Sequence, residues 1–168
     1  DGLPIDESPL YDPENPHLNR DARMDANLFI PGVSDWKGGT YDESLGGFSQ
    51  TGYAVKKWVD DDAIIGQDGC SCNETNLIIH RYADVLLMFA EATNEVSGPT
   101  AEVYDAVNQV RARVGMPPFP EGLSQDEMRE EIRHERHVEF PWEGTRYYDL
   151  LRWRTAEKVI PAVEIEER

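Results

Sequence analysis

The sequence is short of positive charge. Only 16 Lys and Arg stand against 33 Asp and Glu, a net charge of −17. A protein that neutralises phosphates needs a basic face, so no nucleic-acid partner is expected, and the same charge disfavours docking on an anionic membrane surface. Long apolar runs are also missing. The longest, Val85 to Ala90, falls far short of the roughly 20 residues of a membrane span. The only two cysteines, Cys70 and Cys72, are too few for a disulfide framework or a four-ligand zinc set. No Gly-x-Ser-x-Gly elbow, P-loop or dinucleotide fingerprint is present, so neither nucleophilic catalysis nor a nucleotide cofactor has a candidate. The chain opens Asp1-Gly2-Leu3-Pro4, without initiator Met, basic n-region or apolar h-region. It reads as a processed chain or a fragment.

What is present is a foldable composition. Apolar residues make up 39% and aromatics 10% of the 168 residues, which fits one soluble acidic domain and not a disordered acidic tail. Fourteen of the 24 glycines and prolines fall in the first 70 residues, and the texture changes near Asn76. The early part alternates short apolar pieces with breakers such as Ile30-Pro31-Gly32 and Leu45-Gly46-Gly47, which predicts loops and short strands. Tyr53 to Val59 is its best strand candidate. The expected organisation is an irregular, short-strand region over residues 1–75 packed on a helical region over 76–168.

From Leu77 the period becomes helical. Tyr82, Val85, Leu86, Phe89, Ala92 and Val96 keep the i, i+3, i+4, i+7 spacing of an amphipathic helix. Leu87 and Met88 lie on the other side, so this helix is expected to have neighbours on two faces. Ser97-Gly98-Pro99 stops it. A second helix carries Val103, Val107, Val110 and Val114 and ends at Gly115. Ser124 with Glu127 forms a capping box for a third, which Pro141 and Gly144 end or kink. A short fourth runs from Thr145 to Trp153. The first pair approaches the ~34-residue length of a tetratricopeptide unit. One such pair cannot bury both faces, and no second copy is visible.

The sharpest chemical constellation is on the third helix, where Met128, Ile132, Glu135 and Glu139 share a sector about 60° wide. Two carboxylates on an inward face form either an acid/base pair of the glycosidase kind or an ion-pair network with arginines, among which Arg111, Arg113, Arg136, Arg146 and Arg152 are near at hand. The network is the better reading, because surplus arginines would keep both acids ionised. Glu131-x-x-His134 with His137 is half of a di-metal carboxylate element, its only other copy being Glu14-x-x-His17 in a Pro-rich loop. Cys70-Ser71-Cys72 with His80, and Asp60 to Asp62 with Asp68, lack metal-site spacing. No metal and no cofactor is expected. Trp36, Tyr41, Phe48, Tyr53 and Trp58 sit among flexible turns and polar residues, a combination that suits sugar rings and equally serves to pin loops onto helices. Trp36, Tyr41 and Trp58 are the candidate ligand-binding residues.

Several segments together resemble the SusD/RagB family. They are Arg81 to Ala92 (Arg-Tyr-Ala-Asp-Val-Leu-Leu-Met-Phe-Ala-Glu-Ala), Val107 to Pro117, Ile132 to Arg136 with Glu139-Phe140, Glu143 to Arg146, Asp149-Leu150 and Arg152-Trp153. Upstream, Asp1 to Ile5, Asn19 to Met24 and Thr51-Gly52-Tyr53 also fit. The resemblance implies a mostly α fold of tetratricopeptide-like helix pairs, an α-α superhelix with a loop-rich, short-strand N-terminal third. It implies the C-terminal portion of a non-catalytic lipoprotein on the outer-membrane surface of Bacteroidetes-type bacteria. Such a protein binds an oligosaccharide, polysaccharide or other nutrient and delivers it to a SusC-like TonB-dependent transporter, its lipid anchor lying upstream. Two other classes stay open on the residues alone: a helical interaction scaffold with no ligand site, and a carboxylate glycosidase using Glu135 and Glu139.

Overall fold

The helical period of the second half sets the architecture. The computed structural model describes residues 2–36, 38–42, 51–59 and 75–160. Cys70, Cys72, the acidic run Asp60 to Asp62 with Asp68, and Phe48 lie outside the described residues. The chain is mostly α-helical. Helices α2 (Tyr82–Ser97), α3 (Ala101–Arg113) and α4 (Gln125–Glu139) form the body, followed by α5 (Thr145–Arg152) and the single turn α6 (Ala156–Val159). Before them, among the described residues, come α1 (Ala22–Asn27) and four two-residue strands: β1 (Leu28–Phe29), β2 (Asp35–Trp36), β3 (Gly39–Thr40) and β4 (Ala54–Val55). β1 pairs antiparallel with β4, Leu28 opposite Val55, and β2 with β3, Asp35 opposite Thr40. The strand predicted over Tyr53 to Val59 is therefore only two residues long. Trp58 stands at φ 70°, outside the extended region a ladder requires.

Helix ends follow their side chains. Gly98 closes α2 at φ 76°, and its N–H donates to the Asn94 carbonyl, a left-handed conformation that only glycine takes without penalty. At α4 the capping box is complete: Ser124 Oγ accepts from the Glu127 N–H at 3.3 Å, and Glu127 Oε2 accepts from the Ser124 N–H at 2.7 Å. α4 stops at Glu139, two residues before Pro141, whose ring cannot continue the hydrogen-bond ladder. α2 and α4 are tied at their far ends by Asn94, fully buried, which donates to the Gln125 carbonyl at 2.9 Å while Gln125 Nε2 donates back to the Asn94 carbonyl.

The core lies where α2, α3 and α4 meet. Leu87, Val103, Val107, Met128 and Ile132 are fully buried there, with Ala83, Ala90 and Ala106 as small residues that let the helices approach closely. Val103, Val107 and Val110 face inward as their spacing predicts. α2 departs from expectation. Its inward residues are Ala83, Asp84, Leu87, Ala90 and Asn94, while Tyr82, Val85, Met88, Phe89 and Val96 face outward, Tyr82 at 68% and Val96 at 86% exposure. Apart from Leu86, which packs against the core, the long apolar stripe is thus bare, and the narrower side built on Leu87 does the packing. Alanines at 83 and 90 decide this: they flatten that side enough for two helices to lie against it.

Leu87→Ala is expected to lower stability by about 3 kcal/mol. Phe89→Ala, on the bare stripe of the same helix, is expected to change it by less than about 0.5 kcal/mol. Urea unfolding of both variants checks the difference; equal losses would mean that the helix packs the other way round.

Candidate functional site

The inward face of α4 collects charge. Glu135 and Glu139 are 1% and 2% exposed, directly continuing the stripe of Met128 and Ile132. Arg23 of α1 reaches both, its Nη1 donating to Glu135 Oε1 at 2.6 Å and Glu139 Oε2 at 2.8 Å. Arg111 Nη1 donates to Glu135 Oε2 at 2.9 Å, and Arg113 Nη2 to Glu139 Oε1 at 2.7 Å. Arg81 donates to Glu139 Oε1, to the Glu139 carbonyl and to Glu143. Lys57 completes the group, its Nζ 2.6 Å from Glu143 Oε1.

Part of this set follows from the sequence. Arg111 and Arg113 are partners of the two glutamates as expected, but Arg136, Arg146 and Arg152 are not. Arg136 is one residue on from Glu135, about 100° further round the helix, and serves a second buried cluster. Its Nη1 donates to Asp84 Oδ1 at 3.0 Å, and its Nε to Asp149 Oδ2 at 3.0 Å. Arg152 joins that cluster through Asp149 and also pairs with Glu91. The partners missed from sequence, Arg23 and Arg81, come from a loop-region helix and from the residue preceding α2. No local spacing relates either of them to α4.

Ionisation follows the contacts. Burial alone would raise the carboxyls of Asp21, Asp84 and Glu143. Hydrogen bonds from Arg23 to Asp21, from His80 and Arg136 to Asp84, and from Arg81 and Lys57 to Glu143 outweigh it, and all three lie below their ordinary values. Glu135 and Glu139, buried and shared among four guanidinium groups, have no open side on which to protonate a glycosidic oxygen or activate water. The acid/base reading thus loses its geometry.

Beside this network lies an aromatic junction. Pro141 separates α4 from α5, and the link between them places Trp142 at φ 57°. Trp58, from the loop region, stands at φ 70° and donates from Nε1 to the Trp142 carbonyl at 3.1 Å. Positive φ is an outlier for residues this bulky, and such backbone persists only where its surroundings hold it, often at binding sites. The holding is done one residue away on each side, by the Lys57–Glu143 pair. Trp58 is half-buried and Trp142 is 49% exposed. Sequence reasoning missed Trp142, which follows a proline at a helix break with no periodic pattern to mark it.

The other aromatic candidates fall differently. Tyr41 is 4% exposed; its ring stacks on Phe29 at 5.5 Å and its hydroxyl donates to the Gly52 carbonyl at 3.3 Å. It fastens the 30–41 loop to the β1–β4 pair. Trp36 occupies the end of β2, opposite Gly39. Among the described residues no three His, Cys, Asp or Glu side chains converge as a metal site would require, and His80 is engaged with Asp84 at 2.9 Å. No helix among them is long and apolar enough to cross a membrane. A cavity of about 420 Å³ lies between α2 and α3, with Arg81, Tyr82, Leu86 and Arg113 in its wall. It shares Tyr82 and Leu86 with the apolar stripe noted at sequence level.

The sequence and fold match known proteins. A model described as the SusD family matches residues 1–162. SusD-like protein P2 of Formosa agariphila is 44% identical over 94 residues, 52% of this chain and 19% of that protein. The crystal structure of a SusD-like protein from Bacteroides fragilis superposes with a TM-score of 0.72 at 34% identity, covering 94% of this chain and 32% of that one. A second structure from the same species, of a SusD-like carbohydrate binding protein, gives 0.68 at 31% identity over 90% of this chain and 32% of its own. The chain therefore spans about a third of these solved relatives and a fifth of the curated one.

Because Asp21, Asp84 and Glu143 titrate below their ordinary values of 3.8, 3.8 and 4.5, the unfolded chain binds more protons than the folded one as acid is added. The stability they confer is complete above those ordinary values and is lost as pH falls through the lower folded ones. The thermal midpoint is expected to drop steeply below about pH 4, and less steeply in Lys57→Met, which frees Glu143 of one cation. A midpoint unchanged down to pH 2.5 would refute the ionic account.

Proposed function

The chain belongs to the SusD family, and from that premise we propose that it is part of a carbohydrate-binding protein that captures a ligand without cleaving it. In this reading an oligosaccharide, or another nutrient, is held at the outer-membrane surface and passed to a SusC-like TonB-dependent transporter. The loop-rich residues 1–75 and the helical residues 76–168 act together, the first supplying ligand contacts and the second the frame. The observation that carries the proposal is the Trp58–Trp142 junction. Two indole side chains, both partly open to solvent, are held in strained backbone beside Lys57 and Glu143. Flat apolar rings next to fixed hydrogen-bonding groups are what a sugar needs, since its C–H face stacks while its hydroxyls require partners. Tyr41 acts through the loop it fastens.

A second reading is favoured by the bare stripe of α2. Tyr82, Val85, Phe89 and Val96 form an exposed apolar row that continues into the cavity beside α3, and a helix pair of this kind normally has neighbours on both sides. In that reading the chain is a scaffold that packs on other parts of a longer protein and has no ligand site of its own. The glycosidase reading has no support from Glu135 and Glu139, whose oxygens are all engaged by arginines.

Titration with a panel of neutral and acidic oligosaccharides, followed by tryptophan fluorescence, separates the two. Capture predicts saturable binding with the sugars recovered intact, and about tenfold weaker binding for Trp142→Ala and Trp58→Ala, with Trp58→Phe retaining most of it. No response to any sugar from a chain shown to be folded would leave the scaffold reading. Release of new reducing ends would overturn both.

A further inference from the structure

Positive charge is scarce in this chain, which makes one place on its surface an exception. Glu130, Arg133, His134 and His137 follow one another at i, i+3, i+4 and i+7 on the outer face of α4. Together with Arg146 of α5 and Trp153 they line a cavity of about 210 Å³. Glu130 is the single carboxylate in the wall, and it is engaged by Arg133 Nη1 at 2.8 Å. The remaining basic groups have no such partner. Arg146, His134 and His137 make no ion pair or hydrogen bond among the described residues, although the chain holds two carboxylates for every Lys or Arg. Arg133 is committed on one side only: its guanidinium lies 5.1 Å from the Trp153 ring, while its Nε is buried with no acceptor among the described residues. Arg152 lies over the same ring at 4.7 Å and is itself tied to Glu91 and Asp149, so the indole is held as a wall and is not a free stacking face.

A buried N–H without an acceptor and an unpaired arginine beside two histidines are each unfavourable in isolation. One negatively charged oxygen group in the cavity would pair that arginine, with the guanidinium of Arg133 beside it. We infer that the cavity between α4 and α5 is an oxyanion site, taking a carboxylate or sulfate group through Arg133 and Arg146 with His134 and His137 as further donors. Planar guanidinium groups suit that chemistry because they offer parallel donors to two oxygens. His137 lies in the same surroundings. Burial first, then Arg146 and His134, hold its imidazole below the ordinary value of 6.5, the two cations adding to the effect of burial. The site shares no residue with the Trp58–Trp142 junction and does not depend on the sugar reading of that junction.

The test follows the imidazole protons of His134 and His137 by NMR across pH 5 to 8. The full chain is used, in sodium sulfate, sodium glucuronate and glucose, each against sodium chloride at equal ionic strength. A bound anion favours the protonated ring, so sulfate or glucuronate is expected to move the His137 midpoint upward and to saturate, while glucose does nothing and His17, in the N-terminal loop, stays put. Arg146→Gln, which breaks no ion pair and is expected to melt like the parent chain, should weaken the effect about tenfold. Tighter binding of glucuronate than of sulfate assigns the oxyanion to a sugar acid; the reverse assigns it to sulfate, and either result supports the site. Equal responses to sulfate, glucuronate and chloride, or an unchanged response in Arg146→Gln, would overturn it.

Discussion

Two glutamates that ought to be costly to bury organise this molecule. Glu135 and Glu139 continue the apolar face of α4 into the interior, where an unpaired carboxylate would be expelled or neutralised. Four arginines from three separate parts of the chain converge on them instead: Arg23 from the loop region, Arg81 before α2, and Arg111 and Arg113 at the end of α3. Each guanidinium brings its own element to α4. Pairs of this kind add little net stability compared with a well-packed apolar core. They are demanding in geometry, however, since every donor must find its oxygen. The arrangement fixes where the helices and the loop region sit relative to α4, while the apolar core of Leu87, Val107 and Ile132 supplies the cohesion.

A second cluster repeats the device on the neighbouring side of α4. Arg136 holds Asp84 of α2 and Asp149 of α5, and Arg152 links Asp149 to Glu91. Phe140 joins the two, with Arg81 and Arg136 lying 4.6 and 5.1 Å from its ring. α4 therefore presents charges of opposite sign on adjacent faces, each answered by a different set of partners. The break at Pro141 follows immediately. The geometry that places Trp142 against Trp58 is inherited from these contacts and does not arise within the loop itself.

How much of this could be read in advance depended on the range of the interaction. The capping box at Ser124, the glycine stop at Gly98 and the inward position of Glu135 beside Ile132 are local or periodic, and all stand in the structure. The inward side of α2 was harder. Its bulkier stripe is the more hydrophobic by any scale, yet helix approach is decided by the small side, Ala83 and Ala90, and a moment computed along one helix does not weigh closeness of packing. Arg23 and Arg81 as partners of the two glutamates, and Trp142 as the neighbour of Trp58, were beyond reach, because each contact joins residues more than 50 positions apart whose meeting is a property of the whole fold. In the loop region the strands are two residues long, too short for alternation to register.

The bond from Arg23 to Glu135 spans 112 residues, and that separation sets an order of events. Helices α2 to α4 make contacts over much shorter distances and can form as soon as they exist, whereas the Arg23 bridge must close a very long loop and gains nothing until α4 is in place. During synthesis the N-terminal segment leaves the ribosome first, and at about 5–20 residues per second it waits on the order of ten seconds for the helix that neutralises it. Through that interval Asp21, bonded to Arg23 from two positions away, is at hand to occupy that guanidinium. The small α1 turn thus acts as its own temporary chaperone for a charge whose final home has not yet been made.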